Sequence, residues 1–234
     1  MSMFLLVPGA WLGGWCWRYV AADLRAAGHT VIPATLTGLG ERAHLLSRDI
    51  DLDTHISDIV GLFEYRDLHN VILVGHSYGG TVITGVAERV PDRICRLVYL
   101  DASVPRDRES NDDVIGPTMA AQLRASAMSD GDGWRVPPAP YVIGRLSGHP
   151  LRDWAAARLK PHPLRPFAEP VRLSSPEAAA LPRAFVQTTQ SDLYRGLIAR
   201  ARDVGWYCKE IGGGHYAMIT EPKAVAAALN EIPV

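Results

Sequence analysis

Four short strand-like runs, at residues 4–7, 30–33, 70–74 and 94–100, alternate with stretches whose apolar residues fall at helical spacing. Runs this short, with little polar interruption, read as strands covered on both faces. The intervening stretches differ. Residues 17–27 carry a helical pattern that Gly28 ends, and 54–65 place Ile56, Ile59, Val60 and Phe63 on one helical face. A third helix follows the strand at 70–74 and runs through Arg89. The order β-α-β-α-β-α-β demands a mostly parallel sheet with helices on both faces.

The alternation stops at Val104 and resumes with a strand at 184–188, a helix at 193–204, a strand at 206–211 and a helix at 222–230. Between these blocks lie 12 of the 17 prolines, from Pro105 to Pro182. That stretch shows helical pieces at 119–128 and 151–159, proline ending each piece, and no convincing strand. A separate C-terminal domain would hold only two strands, which is a poor sheet. The expected architecture is therefore one α/β core, residues 1–104 and 183–234, with a six-stranded sheet. A helical cap, 105–182, is inserted after its fourth strand.

With 234 residues the chain can bury a large core without disulfide or metal staples. Lys plus Arg is 24 and Asp plus Glu is 25, a net charge of −1, so nucleic acid is not an expected partner. Cys16, Cys95 and Cys208 are far apart and form no ligand cluster, so no metal is expected and a reducing, cytoplasmic setting is. No apolar stretch of about 18 residues suggests a membrane span.

The chemistry concentrates after the third strand. Gly75, His76, Ser77, Tyr78 and Gly79 match G-x-S-x-G between a strand and a helix, with a further Gly80. Such a turn holds the serine in a strained conformation and exposes its hydroxyl near a helix N-terminus. Ser77 is the candidate nucleophile, and it needs a base. Of eight histidines, His215 follows the last strand in a glycine-rich loop, Gly212-Gly213-Gly214-His215. Strand ends at the carboxyl edge are where such sites assemble. His76 should point elsewhere and pack, and His44, His55, His69, His149 and His162 have no comparable setting. The base needs an orienting carboxylate. Asp192, after the strand at 184–188, is preferred; Asp101, after the strand at 94–100, is the alternative. Backbone N–H groups of Ala10 and Tyr78 are expected to form an oxyanion hole, with Gly9 permitting close approach. Trp11, Tyr78 and Tyr216 border the site, while Trp134, Tyr141 and Trp154 lie in the insertion and suggest an aromatic pocket. Core packing is the competing explanation for each ring. Glu41 and Arg42 read as a structural ion pair or turn anchor.

At these residues the chain resembles the α/β-hydrolase superfamily. Within it, it is similar to the branch of plant salicylate methylesterases and hydroxynitrile lyases and their bacterial esterase relatives. The resemblance rests on Val7-Pro8-Gly9-Ala10-Trp11, Trp15-Cys16-Trp17, Leu36-Thr37-Gly38-Leu39-Gly40-Glu41-Arg42, Val74 through Gly80, and Gly214-His215-Tyr216-Ala217-Met218. Two departures stand out. The branch's usual histidine-glycine of the oxyanion loop is Pro8-Gly9, and the stretch from Asp192 to His215 is shorter than in the plant enzymes, which makes Ser191 a candidate for the position that aligns with the acid. Lyases of the branch carry a threonine in the oxyanion loop and a lysine after the catalytic histidine. Gly9 and Tyr216 stand there, so the resemblance favours an esterase.

The resemblance implies a serine hydrolase that cleaves a small, apolar or aromatic carboxylic ester through an acyl-enzyme, without a cofactor. Its partner is a small-molecule ester, and a homodimer is an expectation taken from related enzymes. The competing readings are a lyase or C–C bond-cleaving enzyme on the same triad, a lactonase or thioesterase, and a small-molecule receptor that retains the triad.

Overall fold

The computed structural model describes residues 1–138, 142 and 144–233. Six parallel strands form the main sheet: β1 (Met3–Val7), β2 (Thr30–Pro33), β3 (Val71–Ser77), β4 (Ile94–Ala102), β7 (Arg183–Thr188) and β8 (Tyr207–Ile211). Their order is β2-β1-β3-β4-β7-β8. β3 is buried along its whole length and β1 from Phe4 onward, as strands covered on both faces should be. The chain leaves β1 toward β2 in one direction and continues from β3 toward β4 in the other. With right-handed crossovers, α1 (Arg18–Ala26) and α3 (Gly79–Ala87) then lie on opposite faces. The loops after β1 and β3 diverge from neighbouring strand ends, and this reversal opens a crevice.

Local chemistry fixes the elements around that crevice. α2 (Leu52–Tyr65) starts at a capping box: the Thr54 backbone N–H donates to Asp51 Oδ1 at 2.8 Å, and the Asp51 N–H to Thr54 Oγ1 at 3.4 Å. All nine residues of α3 are buried, as expected for a helix apolar all round and enclosed by the sheet and α2. Between β7 and β8, α9 (Arg195–Asp203) packs on both strands, and after β8, α11 (Pro222–Asn230) packs on α1.

The segment between β4 and β7 is irregular, as the prolines imply, but it does contain strand. β5 (Arg135–Val136) pairs antiparallel with β6 (His162–Pro163), Val136 facing His162. Two-residue strands are too short to leave a periodic signal, which is why the sequence showed no convincing strand there. Its described helices include α4 (Asn111–Ile115), α5 (Pro117–Asp130), α6 (Arg152–Ala156), α7 (Arg165–Ala168) and α8 (Pro176–Ala180). Proline stands in the first turn of α5, α7 and α8, opening these pieces rather than ending them. Its missing N–H costs nothing at that position.

The segment is tied down at several points. The Trp11 indole N–H donates to the Val136 carbonyl at 2.9 Å, and the Lys160 N–H to the Trp11 carbonyl at 3.1 Å. Glu169 Oε2 accepts from the Leu52 N–H at 2.7 Å, at the start of α2. Glu88 accepts the N–H groups of Ser174 and Ser175 at 2.7 and 2.9 Å.

Candidate active site

Ser77 ends β3 with φ of 54°, in the left-handed region that a non-glycine residue enters only when its surroundings hold it there. The flanking glycines are what make room. A Cβ at Gly75 would lie 2.6 Å from the Gly79 carbonyl oxygen, and one at Gly80 would run into the Ser103 carbonyl. Gly9 serves the same turn: a Cβ there would lie 2.8 Å from Ser77 Cβ and 2.9 Å from His76 Nδ1. Its smallness lets the loop after β1 close onto the Ser77 turn, and Gly9 is not among the residues lining the cavity over Ser77.

His215 sits in the loop between β8 and α10 (Ala217–Thr220). The end of β7 holds this loop, with the Thr189 N–H on the Ile211 carbonyl at 2.9 Å and the Gln190 N–H on the Gly213 carbonyl at 3.0 Å. His215 Nε2 lies 2.9 Å from Ser77 Oγ, and its Nδ1 lies 2.6 Å from Asp101 Oδ2. Both rings of contact are buried: Asp101 has no exposed surface and His215 only 6%.

Asp101, rather than the preferred Asp192, is therefore the carboxylate on the histidine. Asp192 is exposed, pairs with Arg195 at 2.8 Å, and does not reach His215. The physical reason lies in β4. Its register against β3 steps from His76 opposite Leu100 to Ser77 opposite Ala102, leaving Asp101 as the extra residue of a bulge. Asp101 has φ of 42° there, and a bulge re-aims the side chain it carries. Burial by itself would raise the Asp101 carboxyl. The hydrogen bond and charge of His215 outweigh that, helped by the nearby Ser191 hydroxyl, and the group is held below the usual carboxylate range. Ser191 contributes by proximity without closing a hydrogen bond of regular geometry. Gln187 Nε2 donates to the other oxygen, Asp101 Oδ1.

His76 does more than pack. Its Nε2 donates to the His215 backbone carbonyl at 2.8 Å, and the two rings sit 4.6 Å apart. Burial, and next the proximity of His215, push its pKa well below the ordinary histidine value, so the ring is neutral. Sequence spacing gives no sign of this, because the partner atom is a backbone carbonyl 139 positions away.

Two further histidines stand beneath the site, though nothing in the sequence distinguished them. His55 Nε2 donates to the Thr37 carbonyl at 3.1 Å, leaving Nδ1 to accept the Tyr78 hydroxyl at 2.9 Å. Burial brings His55 down to about 4. His162 Nδ1 donates to the Pro163 carbonyl at 2.8 Å, its ring stacks on Phe167 at 4.4 Å, and burial pushes it well below its ordinary value.

Above Ser77 lies a small cavity of about 40 Å³. Ala10, Trp11, Tyr78, Phe167 and Tyr216 form part of its wall, Ile115, Met119, Leu123 and Leu193 add aliphatic surface, and Asn111 and Arg145 are polar. Among the described residues, the backbone N–H groups of Ala10 and Tyr78 have no hydrogen-bond acceptor. Both residues flank Ser77, and Tyr78 caps the N-terminus of α3.

Trp11 and Tyr216 thus border the cavity as expected. Trp134 and Trp154 do not. Trp134 lies under the guanidinium groups of Arg48 and Arg135, and Trp154 packs edge-on against Trp15 at 5.3 Å with Arg158 over its face. Tyr141 lies outside the described residues. Arg42 pairs with Asp58 at 2.7 Å and donates to the Thr35 carbonyl, anchoring its turn without Glu41. Among the described residues there is no group of His, Cys, Asp and Glu that could hold a metal ion, and no helix long and apolar enough to cross a membrane.

The family model described as "Alpha/beta hydrolase family" matches residues 4–228. The carbendazim hydrolyzing esterase of Nocardioides sp. (strain SG-4G) is 37% identical, with 98% of each chain covered. Putative methylesterase 14 of Arabidopsis thaliana, chloroplastic, is 27% identical over 99% of this chain and 72% of its own length. Among solved structures, an extracellular alpha/beta-hydrolase from a Paenibacillus species superposes with a TM-score of 0.84 at 25% identity, 98% of each chain being covered.

Proposed function

Since the chain belongs to the alpha/beta hydrolase family, we propose that it cleaves a carboxylic ester of a small apolar or aromatic substrate through an acyl-enzyme on Ser77. One observation carries this reading: the buried chain from Asp101 through His215 to Ser77, with contacts of 2.6 and 2.9 Å. The ionised Asp101 fixes the His215 tautomer, leaving Nε2 free to take the Ser77 proton. Ser77 Oγ attacks the ester carbonyl. The oxyanion falls between the unpartnered N–H groups of Ala10 and Tyr78, helped by the positive end of α3. His215 then gives its proton to the leaving alcohol. A water molecule, deprotonated by His215, attacks the acyl-enzyme and releases the acid.

Residues 105–182 serve as a cap, and the ties from Trp11, Glu88 and Glu169 support a docked rather than a swinging one. Tyr216, next to His215 and on the cavity wall, offers no cation to a leaving cyanide, which supports hydrolysis over lyase chemistry. The esterase names of the relatives point the same way. The three cysteines are free thiols, which fits a reducing, cytoplasmic compartment.

The purified protein is expected to hydrolyse p-nitrophenyl butyrate, and Ser77→Ala to abolish turnover. Undiminished turnover by that variant would overturn the assignment of the nucleophile.

A further inference from the structure

Asn111 is the first residue of α4 and is 2% exposed. It stands on the wall of the catalytic cavity beside Ile115, Met119 and Leu123. Its side-chain oxygen is buried and has no hydrogen-bond partner among the described residues. A buried polar group left unpaired is a standing cost, and native structures keep few of them without a reason. Asparagine at a helix start is ordinarily explained by capping. Here Ser110 does that work: its Oγ accepts the Asp113 N–H at 3.2 Å, and Asp113 Oδ2 accepts the Ser110 N–H at 2.8 Å. The Asn111 oxygen thus has no partner among the described residues of the fold, and the residue lines the cavity over Ser77.

We propose that Asn111 determines specificity by hydrogen-bonding a neutral N–H group on the part of the ester that fills the cavity. This rests on the esterase reading above. A carboxamide accepts through its oxygen and donates through its nitrogen without carrying charge. It therefore suits an uncharged amide-like or azole function, and leaves its oxygen orphaned when the substrate is a plain hydrocarbon ester. The aliphatic neighbours bind any apolar ring and discriminate weakly. A polar group that must be paired discriminates strongly, because the analogue that lacks the donor forces it to stay unpaired. The substrate class is thus an aromatic ester with a ring or side-chain N–H, rather than a simple fatty or benzoic ester.

The test compares isosteric pairs in which only the N–H changes: methyl indole-2-carboxylate against methyl benzofuran-2-carboxylate, and the two 5-carboxylates likewise. The wild-type protein is expected to favour the indole in at least one pair by roughly tenfold in kcat/KM. Asn111→Leu, which keeps the volume and removes the amide, is expected to bring that ratio to about one. A purely structural role would lower both members of a pair by the same factor and leave the ratio intact, so an unchanged ratio overturns the proposal. Wild-type ratios near one, or rejection of all four esters, overturn it too, whether or not the variant folds. Turnover of p-nitrophenyl butyrate in the same preparation separates the two failures: if that also is absent, the esterase reading falls first.

Discussion

Asp101 and Asp192 both follow a strand, and both can complete a triad as far as sequence tells. What separates them is a single backbone irregularity. The β4 bulge turns Asp101 inward with φ of 42°, while Asp192 stays in an exposed turn with Arg195. A bulge leaves no periodic trace in a strand that is buried throughout from Leu97 onward, as β4 is, so the two residues could not be ranked from spacing. Ser77 was legible because glycines mark its turn, where a Cβ at Gly75 or Gly80 would collide with backbone, and His215 because it follows the last strand in a glycine-rich loop. At the same scale, burial holds His55 at about 4 and pushes His76 and His162 well below their ordinary range. An unfolded chain protonates these rings near pH ~6.5, and the folded one does not until the pH is far lower. The folded pKa values are depressed, so stability is intact above that pH and is lost as pH falls through the window beneath it. The slope is about 1.4 kcal/mol per pH unit for each ring. Chemical denaturation at pH 7.5, 6.0 and 5.0 should show a falling midpoint at constant m-value, and His162→Gln should lessen the fall. A midpoint independent of pH would contradict this.

At the scale of elements, the six main strands were read from short, largely apolar runs alternating with helical stretches, although the edge strands β2 and β8 are only partly buried. The segment between β4 and β7 was not. Its pieces are held by contacts distant in sequence, such as Trp11 with Val136 and Glu88 with Ser174, and no local pattern announces those. For the same reason aromatic content misplaced Trp134 and Trp154: arginines and other rings occupy their faces outside the cavity. The contact between α2 and α3 gives the sharpest packing test. A methyl at Gly85 would run into the Ile56 side chain. Gly85→Ala is expected to destabilise the protein by about 1–3 kcal/mol in denaturant titration, overpacking outweighing the helix-propensity gain. Trimming the neighbour with Ile56→Val should recover part of that loss. Additive losses in the double variant would show that the two helices do not meet there as described.

Over the whole molecule, one topological fact organises the site. The order in which strands are added reverses between β1 and β3, and the carboxyl ends of β1, β3, β4 and β8 meet at one edge. They bring there, in turn, the N–H of Ala10, the hydroxyl of Ser77, the carboxylate of Asp101 and the ring of His215. The insertion between β4 and β7 covers that edge with Asn111, Leu123 and Phe167. Adjacent strands β1 and β3 lead into Ala10 and Ser77, so in the proposed mechanism the chemistry depends on the sheet more than on the segment between β4 and β7. The claim that Asp101 orients His215 is the part of this account on which everything upstream of Ser77 depends. Its most direct test is kcat on p-nitrophenyl butyrate for Asp101→Asn beside Asp192→Asn. Asp101→Asn is expected to lose on the order of 10⁴ in kcat through the wrong histidine tautomer, and Asp192→Asn to stay within about twofold of wild type. A large loss in Asp192→Asn with Asp101→Asn close to wild type would contradict it.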